Sequence, residues 1–462
     1  MPAARIYALV CLLLVARAVG WPQPAPVLDD AARTKIVQEA ARLLEERYVF
    51  PDIGKKCGDH IRAQLAEGAF ADLTDPGVFA RKLTEELQSV SHDKHMRVSA
   101  RQMGGAAGRS VDPVVQRHRM TRSMAERNFG IARAEVMEDN VGYLELTGFP
   151  PVELTRPTAV AAMKFLENVD ALIIDLRRNG GGSPSSIQFI TSYFFGTRTH
   201  LNSLYWREGN RTEEFWTLDS IEGKRRPDLP LFVLTSGYTF SGGEEFAYNL
   251  KTRKRATLIG QTTGGGANPG AFFMLDPPVG MFIPTGRAIN PVTGDNWEGK
   301  GVEPDVKADS AQALDVAYAQ AKVAAEEQRT AEEQRILATM EGLERQLDGA
   351  EKLLAVGKSE EAASVVKAAL DEGRAGGVMD ELGINDLGYR YLQANKHGMA
   401  LEVFGYNVRA FPDSWNVYDS LGEAYLKKGD KAKAIENYRR SLKLNPDNSG
   451  ARAALRGMGV TE

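Results

Sequence analysis

Cysteine is nearly absent from this chain: of 462 residues, only Cys11 and Cys57 carry a thiol. Cys11 lies within an apolar N-terminal run. Removal of that run would leave a single thiol, which excludes an intrachain disulfide and any cysteine-based metal site. Long hydrophobic runs are missing as well. Ile6–Val15 is apolar over 10 residues, short of the ~17–25 residues a membrane-spanning helix needs. Neither sign of charge prevails, with 57 Lys and Arg against 61 Asp and Glu, so nothing marks a nucleic-acid binder. A hydrophobic content of 43% excludes a disordered chain. Histidine is scarce too, with six in all. The phosphate-binding Gly-x-x-x-x-Gly-Lys-Ser/Thr and the dinucleotide fingerprint do not occur.

Residues 1–20 carry Arg5, the apolar run and the small-residue site Ala16-Arg17-Ala18. That pattern predicts a secretory signal peptide cleaved after about Ala18, hence an exported protein with no membrane span after cleavage. A chain of this length is expected to hold several domains. From Asp29 to Val90 the apolar spacing predicts three helices, broken near Pro51 and Gly68 and reopened at Asp75-Pro76. Ser91-His92-Asp93-Lys94-His95 follows at a helix exit and reads either as a solvated polar loop or as a loop that carries reactive groups. Residues 99–130 show no period and read as a mobile connection.

Strands are expected at Val141–Leu146, Ala171–Leu176 and Leu231–Leu234, alternating with helices. Such alternation predicts an α/β domain of largely parallel strands with its site at their carboxyl ends. Gly180-Gly181-Gly182 follows one of those strands and offers exposed amides to an anion. Ser241 follows another, with Gly242-Gly243 directly behind it and a helix expected from Glu244 to Leu250. A serine there is either a plain N-cap or a nucleophile beside helix-start amides. Apolar strands at Ala271–Leu275 and Gly280–Pro284 are read as part of the same domain.

Beyond Ser310 the composition turns helical, rich in Ala, Glu, Lys, Leu and Gln. Leu387-Gly388, Tyr391, Ala400, Phe404 and Pro412 recur 34 positions on as Leu421-Gly422, Tyr425, Ala434, Tyr438 and Pro446, the tetratricopeptide period. Arrays of this kind stack into concave peptide-binding surfaces, and a structural spacer is the alternative reading.

Four segments in order resemble one family, the C-terminal processing (tail-specific) serine peptidases, with the tricorn core protease and interphotoreceptor retinoid-binding protein as relatives. They are Asp93-Lys94-His95, Asp175–Gly182, Thr235–Glu245 and Gly301-Val302-Glu303-Pro304-Asp305-Val306. The resemblance implies a crotonase-like ββα peptidase core with an N-terminal helical subdomain, followed here by an all-α tetratricopeptide-type repeat domain. The chain then divides into a signal peptide over 1–20, a helical subdomain over 28–98, a connecting segment over 99–130, an α/β peptidase core over 131–310, a helical linker over 311–349 and repeats over 350–462. The short stretch between Val98 and Val141 leaves no room for a peptide-binding PDZ domain of ordinary size, about 100 residues.

By the same resemblance Ser241 is the nucleophile, and Gly242 with Gly181 or Gly182 would donate to the oxyanion. The family's lysine base falls at Gly266, so its place passes to His95, oriented by Glu298 as in the tricorn-like branch. The relay serine of that branch is Lys94 here, which leaves the link between Glu298 and His95 to a direct contact, a water, or Ser91 or another hydroxyl. A serine endopeptidase acting near protein C-termini is the function implied, on a peptide or protein substrate, with no metal or organic cofactor and with the repeats as a docking surface for a protein partner. Two rival classes stand beside it: a ligand- or peptide-binding protein on a peptidase scaffold, and an interaction scaffold.

Overall fold

The computed structural model describes residues 27–100 and 112–460; the expected signal peptide lies outside the described residues. Contacts divide the chain into one compact unit up to Glu326 and a second from Glu327. Among the described residues, no helix is long and apolar enough to cross a membrane.

The first unit opens with α1 (Asp30–Arg47), α2 (Pro51–Ala66) and α3 (Pro76–Ser91). Asp29 caps α1 by accepting the Ala32 N–H at 2.8 Å, and Asp75 caps α3 from the Val78 N–H at the same distance. Strand β1 (Arg97–Ala100) follows, running past the expected boundary at 98. The expectation that 99–130 is irregular is corrected by α4 (Pro113–Ala125). Asp112 accepts the Val114 N–H there, and Pro113 occupies the first turn, where its missing N–H costs nothing. No residue of α4 is buried, so no apolar period exists to betray the helix.

The α/β core comprises β2 (Ile131–Val136), β3 (Val141–Leu146), α5 (Val152–Phe165), β4 (Ala171–Asp175), α6 (Pro184–Thr191), β5 (His200–Trp206), β6 (Arg211–Trp216), β7 (Leu231–Thr235), α7 (Gly242–Thr252) and β8 (Thr257–Gly260). Then come β9 (Gly270–Asp276), β10 (Val279–Pro284), β11 (Gly286–Ile289) and β12 (Val306–Lys307). The main sheet has the order β12-β8-β7-β4-β3-β2 and is parallel except for the β2–β3 pair. Strands β4 and β7 are buried at every position, which is why they read as unbroken apolar runs. A hairpin of β5 and β6 with β11 forms a separate antiparallel sheet. The sequence pattern passed over it because β6 is largely exposed.

The assignment of residues 271–284 to the core is also corrected. Strands β9 and β10 pair with β1 in the order β1-β10-β9, and Leu275, Val279, Met281 and Ile283 pack with Ile36, Leu44, Phe79 and Leu83 of the N-terminal helices. The helical subdomain is therefore completed by a hairpin from far downstream, joined through ladder hydrogen bonds that no local pattern encodes.

Helix α8 (Ala313–Ala355) is continuous across the expected boundary between linker and repeats. Its first turns place Ala313, Ala317, Ala321 and Ala325 against Val141, Ile173, Phe232 and Ile259 of the main sheet. In the second unit, α9 (Ser359–Ala375), α10 (Glu381–Gln393), α11 (His397–Ala410), α12 (Trp415–Lys428), α13 (Lys431–Leu444) and α14 (Ser449–Gly457) form the helical repeats. The repeated glycines have a steric reason. A Cβ at Gly388 would lie 2.5 Å from the Phe404 ring, and one at Gly422 would lie 3.2 Å from the Tyr438 ring.

That difference yields a test. Alanine gains about 1 kcal/mol of helix propensity over glycine, whereas overpacking costs about 1–3 kcal/mol. Gly388→Ala is expected to lower the urea midpoint of the repeat unit, while Gly422→Ala leaves it nearly unchanged. Equal effects at both sites would contradict the packing described.

Candidate active site

Strand β7 ends at Thr235, and the turn that follows is tied to the end of β4 by several bonds. Ser236 Oγ donates to the Arg177 carbonyl at 2.7 Å, Thr239 Oγ1 to the Leu176 carbonyl at 2.8 Å, and the Phe240 N–H to the Asn179 carbonyl at 3.0 Å. Held in this way, Ser241 adopts φ 53° and ψ −118° as the N-cap of α7. A non-glycine residue there stores roughly 1–3 kcal/mol of strain, which only an over-determined surrounding can sustain.

The glycine loop lies directly against this serine. Gly181 has φ +100°, and a Cβ on it would fall 2.7 Å from the Gly242 nitrogen and 2.8 Å from Ser241 Cβ. The Gly181 N–H is engaged by Asn179 Oδ1 at 2.8 Å. Among the described residues, the amides of Gly182 and Gly242 have no acceptor. Of the three glycines expected to hold an oxyanion, the free donors are thus Gly242 and Gly182.

Glu244, read from sequence only as part of a helix start, is the hub of the site. It is wholly buried, and its carboxylate accepts four bonds: from the Ser241 N–H at 2.8 Å, Thr263 Oγ1 at 2.5 Å, and the N–H groups of Gly265 at 2.6 Å and Gly266 at 2.9 Å. Burial pushes its pKa up, and these donors oppose the shift. The Ser-x-x-Glu spacing of 241 to 244 is the capping-box signature and was the available signal.

His95 reaches the same place from α3, which ends at His92 in the left-handed conformation, φ 56°. Asp93 sets the following turn by accepting the His95 N–H at 2.9 Å. Its other oxygen accepts from Tyr48 Oη at 3.1 Å and Asn268 Nδ2 at 2.9 Å. The His95 ring packs on Phe240, the neighbour of Ser241, with centroids 4.6 Å apart, and on Phe282 at 6.2 Å. A Cβ at Gly266 would overlap the Phe240 ring and lie 2.7 Å from His95 Cε1. The two rings fill the space that a side chain at 266 would need.

Glu298 completes the cluster. The Trp297 indole N–H donates to the Gly266 carbonyl at 2.7 Å, and Glu298 Oε2 accepts the Ala267 N–H at 2.5 Å. Side-chain oxygens or nitrogens of Asp93, His95 and Glu298 all lie within 4.8 Å of one another. Both Asp93 oxygens are already engaged, so the cluster leaves only His95 Nδ1 and Glu298 Oε1, both buried and both without a partner. Burial pushes the His95 pKa down. The Glu298 carboxyl is pushed up to about 8, first by burial and then by the charge of Asp93. Neither Lys94 nor Ser91 links the pair. Lys94 Nζ donates to the Gly264 carbonyl at 2.5 Å, and Ser91 Oγ is turned to the Asp93 N–H at 3.2 Å.

Residues 140–308 match the family model described as peptidase family S41. Residues 30–128 match the N-terminal domain of peptidase S41 in eukaryotic IRBP, and residues 415–448 the tetratricopeptide repeat. The carboxy-terminal-processing protease of Bartonella bacilliformis is 25% identical over 176 residues, 37% of this chain and 39% of that protein. The tricorn protease of Thermoplasma volcanium is 36% identical over 97 residues, 21% of this chain and 8% of that protein. The chain thus spans well under half the length of these two relatives. Among solved structures, the tricorn protease matches over 64% of this chain and 37% of its own at 15% identity, with a TM-score of 0.41.

Two outcomes follow from the buried acids. Glu244→Gln places a donor against four donors and is expected to destabilise the first unit by about 2–4 kcal/mol in urea denaturation; an unchanged midpoint would contradict the hub. Glu245, buried on α7 beside Asn202, has its carboxyl pushed up to about 7 by burial. A raised carboxyl favours the folded state at acid pH and loses that favour as pH rises through 7. Glu245→Gln should therefore flatten the fall in thermal midpoint between about pH 5 and 8, and a fall as steep as that of the parent chain would refute the assignment.

Proposed function

We propose that this chain, a member of peptidase family S41 through its central domain, is an exported serine endopeptidase that cuts near protein or peptide C-termini through an acyl-enzyme. The observation that carries this reading is the strained Ser241, with the open amides of Gly242 and Gly182 on one side and the His95 ring packed on its neighbour. Ser241 Oγ attacks the scissile carbonyl, and His95 takes its proton and returns it to the leaving amine. Gly242 and Gly182 hold the oxyanion. Glu298 orients the imidazole through Nδ1. The gap between His95 Nδ1 and Glu298 Oε1 closes when substrate excludes water, since such bonds are often long without it. Gly266 is part of the same design, because a side chain there would expel the His95 ring. Export rests on the N-terminal pattern of residues 1–20, and the repeats serve to dock a protein substrate or partner.

A non-catalytic binding role is favoured by one observation: Glu298 and His95 make no hydrogen bond to each other. Fluorophosphonate labelling separates the two readings. Ser241 is expected to label, and His95→Ala to slow both labelling and hydrolysis by about 10²–10⁴-fold. Ser241→Ala should abolish both with an unchanged circular dichroism spectrum. Absence of labelling in the parent chain would favour the binder.

The pH profile has a defined sign. One proton held between His95 Nδ1 and Glu298 leaves the other ring nitrogen free as base, and a second proton removes that base. With Glu298 raised to about 8, kcat/KM is expected to fall as pH drops from about 8.5 to 6. A flat profile would count against this pair.

A further inference from the structure

A cleft of about 840 Å³ opens beside the nucleophile, with Gly180 and Gly181 in one wall. Because Gly181 abuts Ser241 and Gly242, this cleft adjoins the residues that would hold the oxyanion. The facing wall is α4 and the turn that follows it, which present Met120, Ser123, Met124 and Arg127. Phe149 and Pro150 add apolar surface, and Arg178 stands at the rim with exposed Tyr238.

The charges here are lopsided. The cleft lining carries Arg127 and Arg178 against the single acid Glu126. Glu126 pairs with Arg122. Arg178 is engaged by Glu145 through Nε at 2.8 Å, yet its side chain is 72% exposed. Arg127 has no ion pair or side-chain hydrogen bond among the described residues. An open guanidinium over an apolar floor suits a carboxylate carried next to an apolar side chain. Methionines supply a wall that adapts to aliphatic or aromatic shapes.

We propose that this cleft is the specificity site of the peptidase. It takes a substrate segment in which a large apolar residue lies beside a carboxylate, and Arg127 is the carboxylate-reading residue. The carboxylate comes from an acidic side chain or from the chain's own terminus. This assignment rests on the peptidase reading for its biological meaning but can be tested without catalysis.

Labelled peptides matched except at the test position are titrated by fluorescence anisotropy against the full chain carrying Ser241→Ala. A Leu-Glu peptide is expected to bind about tenfold tighter than Leu-Gln and tighter than Ala-Glu. Arg127→Glu should erase the Glu-over-Gln preference while leaving Leu-Gln binding unchanged, and Met124→Ser should erase the Leu-over-Ala preference. A preference for free over amidated C-termini, lost in Arg127→Glu, would support the site and assign the carboxylate to the terminus. A Glu preference that survives Arg127→Glu, or an equal weakening of every peptide, would overturn the assignment. Failure of the parent chain to label with a fluorophosphonate would strike the peptidase reading alone.

Discussion

One carboxylate organises the site. Burying Glu244 in a peptide-lined interior would by itself drive it neutral, because an ion there loses its hydration. Four donors replace that water, and each belongs to a part that must be held: the amide of Ser241, Thr263, and the amides of Gly265 and Gly266. The cap of α7 and the loop after β8 therefore share a single anchor. The strain at Ser241, φ 53°, is sustained because this anchor and the bonds from Ser236, Thr239 and Phe240 to the end of β4 leave the backbone no cheaper conformation.

That anchor also explains how a histidine from the N-terminal subdomain can stand where the loop would otherwise carry its own side chain. Gly266 is pinned by Glu244, and the Phe240 and His95 rings fill the space above its Cα. His95 in turn is fixed from behind by Asp93, which Asn268 and Tyr48 hold from two other segments. The β9–β10 hairpin makes this approach rigid. It pairs with β1 two residues beyond His95, with Arg97 opposite Phe282, and the Phe282 ring lies over the imidazole. Three stretches far apart in the chain thus meet through one ladder and one buried polar cluster.

Buried polar atoms without partners are rare in folded proteins, and those that persist mark places where function outweighs stability. His95 Nδ1 and Glu298 Oε1 are two such atoms in one cluster. Burial pushes the Glu298 carboxyl up and the His95 imidazole down, so both groups are held toward their neutral forms. The free amides of Gly182 and Gly242 lie at the other flank of Ser241, so polarity is concentrated at the carboxyl ends of β4 and β7, where parallel sheets place their sites.

Local chemistry was enough to read much of this from sequence. The buried strands β4 and β7 announce themselves as apolar runs, the helices α1 and α3 by their Asp caps, and the repeats by glycines recurring where aromatic rings come close. Ser241, the glycine triplet and the missing lysine at 266 were likewise visible, because each is a matter of residue type at a position. What tertiary structure alone decided was partnership. That Glu244 would clamp a loop some twenty residues on, that α4 would wall a cleft without burying a residue, and that β9 and β10 would complete the N-terminal subdomain depend on contacts between distant segments. Periodicity reports only whether a residue is buried, not against what, and it falls silent for a helix with no buried face.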